Sequence, residues 1–183
     1  MSRCDYRVAL TQTGVLSRLA PFDPHVAGTP PLDLDIPGSD IDILCHAPDA
    51  DAFVAAVWEH FGGLSCFAVH QWTSDGRPVI VRFHASGWEF ELFAAAEPVD
   101  RQVGWRHFRV ERRLLALGGV ALCEAIMARR NAGMKTEPAF AAALGLQGDP
   151  YRLLLMLDGQ SDEALIDLLQ KRPVALPPFA GQS

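Results

Sequence analysis

The sequence contains few cysteines, no long apolar run and no excess of basic residues, and each shortage excludes a class of protein. Its four cysteines form no C-x-x-C pair, so neither a zinc site nor a disulfide framework is expected. No segment approaches the roughly 18 consecutive apolar residues that a membrane span requires. The first residues lack the apolar core of a signal peptide, which predicts a cytoplasmic protein.

The balance of charge opposes a protein that attracts long nucleic acid. Sixteen Lys and Arg residues stand against 22 Asp and Glu residues, for a formal net charge of −6, whereas nucleic-acid binders usually carry a basic excess. Acidic residues dominate before position 60, and basic residues concentrate between positions 101 and 135. The two regions could serve a metal and a phosphate respectively, or they could simply be solvated helix faces.

The first half of the chain alternates between strand and helix patterns. Period-two alternation and turn residues predict strands at 24–28, 32–36, 40–45, 64–73, 78–84 and 88–93. Helices are predicted at 5–19 and 47–61, and a hairpin turn at 74–77 contains the dipeptide Asp75-Gly76. These elements define a mixed α/β core over residues 1–98.

After residue 98 the strand pattern ends and helical patterns follow one another. Glycines separate predicted helices at 100–117, 119–132, 136–144, 149–157 and 161–171. We expect residues 99–172 to form a C-terminal helical region packed on the core. A Pro-rich, flexible tail is expected at 173–183.

Two aspartates in the predicted strand 40–45 indicate a metal site. Asp40 and Asp42 are two residues apart, so on a strand both carboxylates project from the same face. Two ionised carboxylates at such short range repel each other unless a cation lies between them. Mg²⁺ (or Mn²⁺) fits this need, because Mg²⁺ prefers oxygen ligands and commonly binds one or two carboxylates together with substrate phosphates. The alternative is a solvent-facing edge strand whose acids prevent aggregation.

A glycine upstream of this pair fits a phosphate. Gly28 lies twelve residues before Asp40, and a backbone without a β-carbon can approach a phosphate closely. The hydroxyl of Thr29 and nearby amides can then donate hydrogen bonds to phosphate oxygens. An ordinary tight turn is the alternative reading of this glycine.

A third carboxylate is expected from a neighbouring strand. Glu91 is the first choice because its apolar neighbours are typical of a central strand, and Glu89 is the second. Three carboxylates can hold two metal ions. The alternative for Glu91 is an ion pair with Arg82 or Arg106. The loop residues Asp33 and Asp35 are further candidate metal ligands.

The pattern of Gly28-Thr29, a loop and Ser39-Asp40-Ile41-Asp42 resembles the nucleotidyltransferase motif of the DNA polymerase β superfamily. The resemblance implies a mixed β-sheet flanked by helices with a C-terminal helical region, in the α/β (α+β) class. It assigns Asp40 and Asp42 to the metal, Glu91 to the third acid, and Ser39 to the nucleotide-binding segment. Threonine replaces the commoner serine after the glycine, and glutamate replaces the aspartate that many members have.

Longer stretches of the chain resemble an uncharacterised bacterial branch of that superfamily. They are residues 26–43, 105–107, 135–140 and 148–151, so the resemblance extends over roughly 20–157. The branch has no settled substrate, and it therefore informs the fold more than the function.

Three residues of the helical region are candidate nucleotide contacts. Arg106 could clamp a triphosphate and His107 could shuttle a proton or contact a base; the alternative is that both are structural. Lys135 could bind phosphate, whereas Thr136 next to it is predicted to cap the following helix. Trp58, Trp72 and Trp88 are too scattered in sequence to predict a stacking platform.

These observations favour an enzyme that transfers a nucleoside monophosphate from a nucleoside triphosphate to a hydroxyl. The acceptor would be a small molecule or a protein side chain. A nucleotide- or metal-binding module without turnover is the first alternative. The second is an interaction protein of the toxin–antitoxin kind. The intact set of carboxylates ranks the enzyme first, because a scaffold has no physical need for it.

Overall fold

Five strands with alternating apolar and polar residues build a mixed sheet. In this computed structural model, which describes residues 3–73 and 76–171, they are β1 (His25–Ala27), β2 (Ile41–His46), β3 (Ser65–Gln71), β4 (Val79–Ala85) and β5 (Trp88–Ala95). Their order across the sheet is β1-β2-β5-β4-β3. β2 and β5 are parallel, and the other neighbouring pairs are antiparallel. The predicted mixed α/β class is confirmed.

One face of this sheet forms the hydrophobic core of the first unit. Ile41, Ile43 and Leu92 are completely buried there. Three helices contribute to the same core: α1 (Tyr6–Thr13), α2 (Val15–Arg18) and α3 (Ala50–Phe61). The other residues of the strands, including the acidic ones, are left for the opposite face.

Local signals explain where these helices begin and end. The Asp49 carboxylate accepts a hydrogen bond from the backbone N–H of Ala52, so Asp49 is the N-cap of α3. Gly14 adopts a left-handed conformation with φ of 60°, which glycine reaches without steric cost. It divides the predicted helix 5–19 into α1 and α2.

The predicted strand at 32–36 is wrong. Pro30–Leu32 form a 3₁₀ turn, and Asp33 follows in the left-handed region with φ of 57°. Proline has no backbone N–H for a strand ladder, and the left-handed residue reverses the chain. The buried side chains of Leu32 and Leu34 produce the misleading alternation from within a loop.

The chain divides into two compact units after Trp105, later than the predicted boundary at residue 98. α4 (Val103–Asn131) begins in the first unit and continues into the second. The second unit also contains α5 (Thr136–Ala143), α6 (Pro150–Asp158) and α7 (Asp162–Lys171). Its fully buried residues are Val110, Leu114, Leu122, Ala125, Ile126, Ala139, Phe140, Leu144, Leu154 and Leu165.

Two details of the helical unit bear on the predictions. Gly119, with φ of 61° and ψ of −157°, interrupts α4 where the sequence predicted a break between two helices. Lys135, and not Thr136, occupies the N-cap of α5, and it makes no side-chain capping bond. The predicted capping role of Thr136 is therefore wrong.

Within residues 3–73 and 76–171, no helix is both long and apolar enough to cross a membrane. The predicted tail at 173–183 and residues 74–75 of the predicted hairpin turn lie outside the described residues.

Candidate active site

Four carboxylates share one end of the polar sheet face. Asp42 lies on β2 and Asp40 immediately precedes that strand. The parallel register places Asp42 opposite Glu91 on β5. Since residues two apart on a strand face the same side, Asp40 and Glu89 belong to the same group. We call these four residues the acidic group.

The members of the acidic group act on one another electrostatically. Partial burial raises the pKa of Asp40 above its ordinary value, while a backbone hydrogen bond opposes that rise. The charges of Glu91 and Glu89 raise this pKa further, and the nearby guanidinium of Arg82 lowers it. A divalent cation at this place would relieve the repulsion.

Gly28 provides the space that Asp42 occupies. Its φ is +75°, and a β-carbon built on it would lie 2.1 Å from Oδ2 of Asp42. β1 and β2 bring the two residues together, since Ala27 is opposite Asp42 in their register. The position therefore requires glycine both for its conformation and for the close approach of Asp42. The predicted phosphate contact at Gly28 stays a prediction.

The loop between Gly28 and Asp40 is held by its own hydrogen bonds. The carbonyl of Thr29 accepts from the backbone N–H groups of Leu32 and Leu34, each at 3.1 Å. The hydroxyl of Ser39 accepts from the backbone N–H of Ile36 at 3.0 Å. Ser39 thus fixes the turn before the acidic group, and the predicted phosphate contacts of Thr29 and Ser39 stay predictions.

Arg3 anchors the same loop from the N-terminal segment. Its Nη1 donates to the carbonyl of Ser39 at 3.0 Å, and its Nη2 forms an ion pair with Asp35. The guanidinium lies 3.6 Å from the ring centroid of Trp88 on β5. Asp35, a candidate metal ligand in the sequence, is therefore engaged by Arg3. Sequence reasoning missed Arg3, because no local pattern marks a residue that acts across 36 positions.

Arg82 on β4 binds the third carboxylate. Its Nε donates to Oε2 of Glu91 at 2.7 Å, and its Nη2 contacts the same oxygen. Glu89 lies 3.9 Å from the Arg82 guanidinium and 3.6 Å from the His84 ring. Arg82 is half exposed, so this pair contributes little to stability. The ion pair named above as the alternative for Glu91 is present, and a metal would have to compete with Arg82 for this ligand.

The carboxylate oxygens of the acidic group fit a Mg²⁺ ion that takes its remaining ligands from water and substrate phosphates. Among the described residues, no three His, Cys, Asp or Glu side chains form a preformed metal cluster. Mg²⁺ commonly needs only one or two protein carboxylates, because water and substrate phosphates complete its octahedron. Asp40 and Asp42 offer oxygen ligands for that mode.

Arg106 belongs to the helical unit and binds an acid there. Its Nε donates to Oδ2 of Asp158 at 3.0 Å, and Nη2 of Arg109 donates to the same oxygen at 2.6 Å. Asp158 is only 7% exposed. This contact is the structural role that the sequence left open for Arg106.

His107 and Lys135 also belong to the helical unit. The His107 side chain is buried, with Nε2 3.0 Å from the carbonyl oxygen of Tyr151 and Nδ1 3.7 Å from the Glu137 carboxylate. Lys135 is exposed at the beginning of α5. The nucleotide contacts predicted for Arg106, His107 and Lys135 stay predictions.

Solved structures similar to this chain include nucleotidyltransferases. Cid1 poly(U) polymerase with MgGTP bound aligns with a TM-score of 0.55 at 14% identity, over 83% of this chain and 48% of that one. GLD-2 from the GLD-2/RNP-8 complex aligns at 0.50 and 12% identity, over 90% and 63%. This chain thus spans about half the length of Cid1. At such low identity the likeness establishes the fold, which is nucleotidyltransferase-like as the sequence predicted.

A family model places the chain more narrowly. Residues 8–157 match the domain of unknown function DUF4269, and the chain belongs to that family. The predicted membership in a branch without a settled function is confirmed. No curated protein sequence matches this chain.

Proposed function

We propose that this protein is a Mg²⁺-dependent nucleotidyltransferase. It transfers a nucleoside monophosphate from a nucleoside triphosphate to a hydroxyl of a small molecule or protein. One observation carries the proposal: the Asp42 carboxylate lies against the bare backbone of Gly28, where a β-carbon would approach to 2.1 Å. This juxtaposition couples the glycine of the motif to a candidate metal ligand, because residue 28 must lack a β-carbon for the Asp42 carboxylate to keep its place.

The acidic group would divide the chemistry among its members. Asp40 and Asp42 would hold Mg²⁺ or Mn²⁺, which stabilises negative charge on the triphosphate and on the departing pyrophosphate. Glu91 would orient the acceptor hydroxyl once Arg82 releases it. The acceptor oxygen forms a bond to the α-phosphorus, and the bond from that phosphorus to the bridging oxygen breaks. Pyrophosphate leaves, and the hydroxyl proton passes to solvent through a carboxylate of the site.

The remaining predicted contacts would act on the triphosphate. Thr29 and Ser39, which lie in the loop next to Gly28, are the candidates from the sheet unit. The net charge of −6 supports a small-molecule or protein acceptor over long nucleic acid.

A second candidate function is a nucleotide- or metal-binding module without turnover. The Arg82–Glu91 ion pair favours it, because a guanidinium already neutralises the third carboxylate. The two candidates agree on nucleotide binding and differ in the release of pyrophosphate.

Calorimetric titration of ATP, GTP, CTP and UTP, with and without Mg²⁺, tests the proposal. We expect Mg²⁺-dependent binding of at least one nucleotide, weakened about a hundredfold in Asp42→Asn because a metal ligand is lost. Asp51→Asn is the matched control, since Asp51 is an exposed acid on α3. Its binding should equal that of the wild type.

Failure of the folded wild-type protein to bind any of the four nucleotides with Mg²⁺ would refute both candidate functions. Binding that is followed by no pyrophosphate release with any acceptor would favour the module over the enzyme.

A further inference from the structure

A cleft of about 360 Å³ lies on the same sheet face, next to the acidic group. Alternate residues of three adjacent strands line it, with Trp72 one residue past the end of β3: His70, Trp72, Ile80, Arg82, Glu91 and Phe93. Glu91 and Arg82 belong both to this cleft and to the candidate active site. We call it the β3–β5 cleft.

Two aromatic side chains give the β3–β5 cleft its shape. The rings of Trp72 and Phe93 meet edge to face, with centroids 6.1 Å apart and planes at 82°. The Trp72 side chain is 54% exposed, although its backbone N–H is fixed by a 3.0 Å hydrogen bond to the carbonyl of Pro78. A half-exposed indole in edge-to-face contact with a second ring offers a stacking surface for a planar ring. Sequence spacing could not reveal it, because the second ring is a phenylalanine from another strand.

The order of the strands decides which substrate the cleft can serve. Gly28 adjoins β1, the carboxylates lie on and beside β2 and β5, and the cleft extends over β4 and β3. In phosphoryl transfer the attacking and leaving oxygens lie roughly in line, on opposite sides of phosphorus. With the triphosphate at Gly28, an acceptor in the β3–β5 cleft would approach from the opposite side.

Charge and size limit the chemistry of this acceptor. Arg82 and Glu91 neutralise each other along the cleft, while Glu89 and Asp40 add negative charge beside it. A phosphorylated acceptor would meet repulsion here, whereas an uncharged one would not. A volume of about 360 Å³ is at the small end of ligand pockets, which suits one ring system with a short hydroxylated arm.

We propose that the β3–β5 cleft binds the acceptor of the reaction, and that this acceptor is a small, uncharged, hydroxylated molecule with a planar ring. The ring stacks on Trp72 beside Phe93, and its hydroxyl points to Glu91. This assignment rests on the proposed transferase function, and it names the acceptor class that the function leaves open. An unphosphorylated nucleoside is the simplest probe of the cleft.

Equilibrium binding of adenosine and uridine to the full-length protein tests the assignment. We expect Trp72→Ala to weaken the binding of the better nucleoside about tenfold, and Trp72→Phe to restore most of it. Trp58→Ala is the matched control, because Trp58 is similarly exposed at 57% but belongs to α3 and packs on Phe67. We also expect AMP to bind more weakly than adenosine.

The outcomes separate this assignment from the proposed function. Absence of nucleoside binding, equal binding by Trp72→Ala and wild type, or tighter binding of AMP than adenosine would overturn the assignment. Mg²⁺-dependent triphosphate binding would then still support the transferase. Trp72-dependent nucleoside binding that persists in Asp42→Asn would support the cleft, even if no triphosphate binds.

Discussion

The sheet unit and the helical unit differ in the number of arginines that contact each carboxylate. In the helical unit one buried carboxylate, Asp158, accepts hydrogen bonds from two arginines, Arg106 and Arg109. Burial by itself would raise the pKa of Asp158, but the hydrogen bonds from these arginines and their charges outweigh burial and lower it. The protein itself stabilises this charge.

On the sheet, carboxylates outnumber the guanidinium that contacts them. Arg82 reaches Glu91 and Glu89, and it also lowers the pKa of Asp40, which the glutamates and burial raise. Four carboxylates thus share one end of a sheet face with this guanidinium. A structural ion pair needs no such excess of negative charge, whereas a site that receives a cation from solution does. The comparison distinguishes a carboxylate that two arginines stabilise from a group of four carboxylates that contacts one arginine.

Removal of the Asp158 charge gives the largest expected effect. Asp158→Asn should destabilise the protein by about 2–3 kcal/mol, below the value for a fully buried pair because the arginines are about one-third exposed. The lowered pKa means that this stability is present above the unfolded pKa of about 4 and is lost as the pH falls through the lower folded value. Urea denaturation at pH 7 and pH 3 measures both effects.

Asp162→Asn is the control for that experiment. Asp162 also pairs with an arginine, Arg113, but its side chain is 59% exposed. The control should lose less than about 1 kcal/mol. Equal losses in the two variants would contradict the structural role assigned to Asp158.

Gly28→Ala tests whether the position of the Asp42 carboxylate depends on the absence of a β-carbon at residue 28. A left-handed alanine costs about 1–2 kcal/mol, and its β-carbon would displace the Asp42 carboxylate. Gly38→Ala is matched, since Gly38 has φ of +91° and no atom within 4 Å of an added β-carbon. Gly28→Ala should lose at least as much stability as Gly38→Ala, because it adds the clash with Asp42 to the backbone strain, and it alone should weaken Mg²⁺-dependent nucleotide binding about tenfold or more. Equal binding by the two variants would count against the site.

Glu111 is the exception in the helical unit, because it is buried with one carboxylate oxygen lacking a hydrogen-bond partner. Burial raises its pKa well above the ordinary value, Glu137 raises it further, and Arg130 opposes both. The unfolded chain therefore loses this proton at lower pH than the folded protein does, and stability falls as the pH rises between the two values. Glu111→Gln should remove this loss and gain about 1 kcal/mol at pH 8 relative to wild type. Parallel stability curves for the two proteins between pH 4 and pH 8 would disprove it.

The smallest expected change in stability is a gain, whereas Asp158→Asn is expected to cause a loss. Asp40→Asn removes one charge from a crowded group, so the metal-free protein should gain about 0.5–1 kcal/mol while it loses nucleotide binding. Thermal unfolding in EDTA measures the gain, with Asp51→Asn as the control that should gain no stability, because Asp51 lies in the first turn of α3 where the helix dipole favours a negative charge. Destabilisation by Asp40→Asn would show that Asp40 supports the fold.

The sequence predicted the parts of the site that follow from local spacing. The period of two over residues 40–45 predicted that Asp40 and Asp42 share one face, and β2 extends over Ile41–His46 of that stretch. Glycine with its positive φ marks the close approach of Asp42 at position 28. The same kind of reasoning failed at 32–36, where apolar alternation belongs to a loop with a 3₁₀ turn. Hydrophobic period alone does not distinguish a strand from a loop whose leucines are buried by the rest of the fold.

The alternating pattern of each strand and the glycines at the breaks determined the type and order of the elements. They also determined which residues carry negative charge on one sheet face. The tertiary structure alone decided that β5 lies beside β2, that Arg82 contacts Glu91, and that Trp72 meets Phe93. These contacts join strands that are distant in sequence, and strand pairing depends on packing of the whole sheet, which no local period encodes.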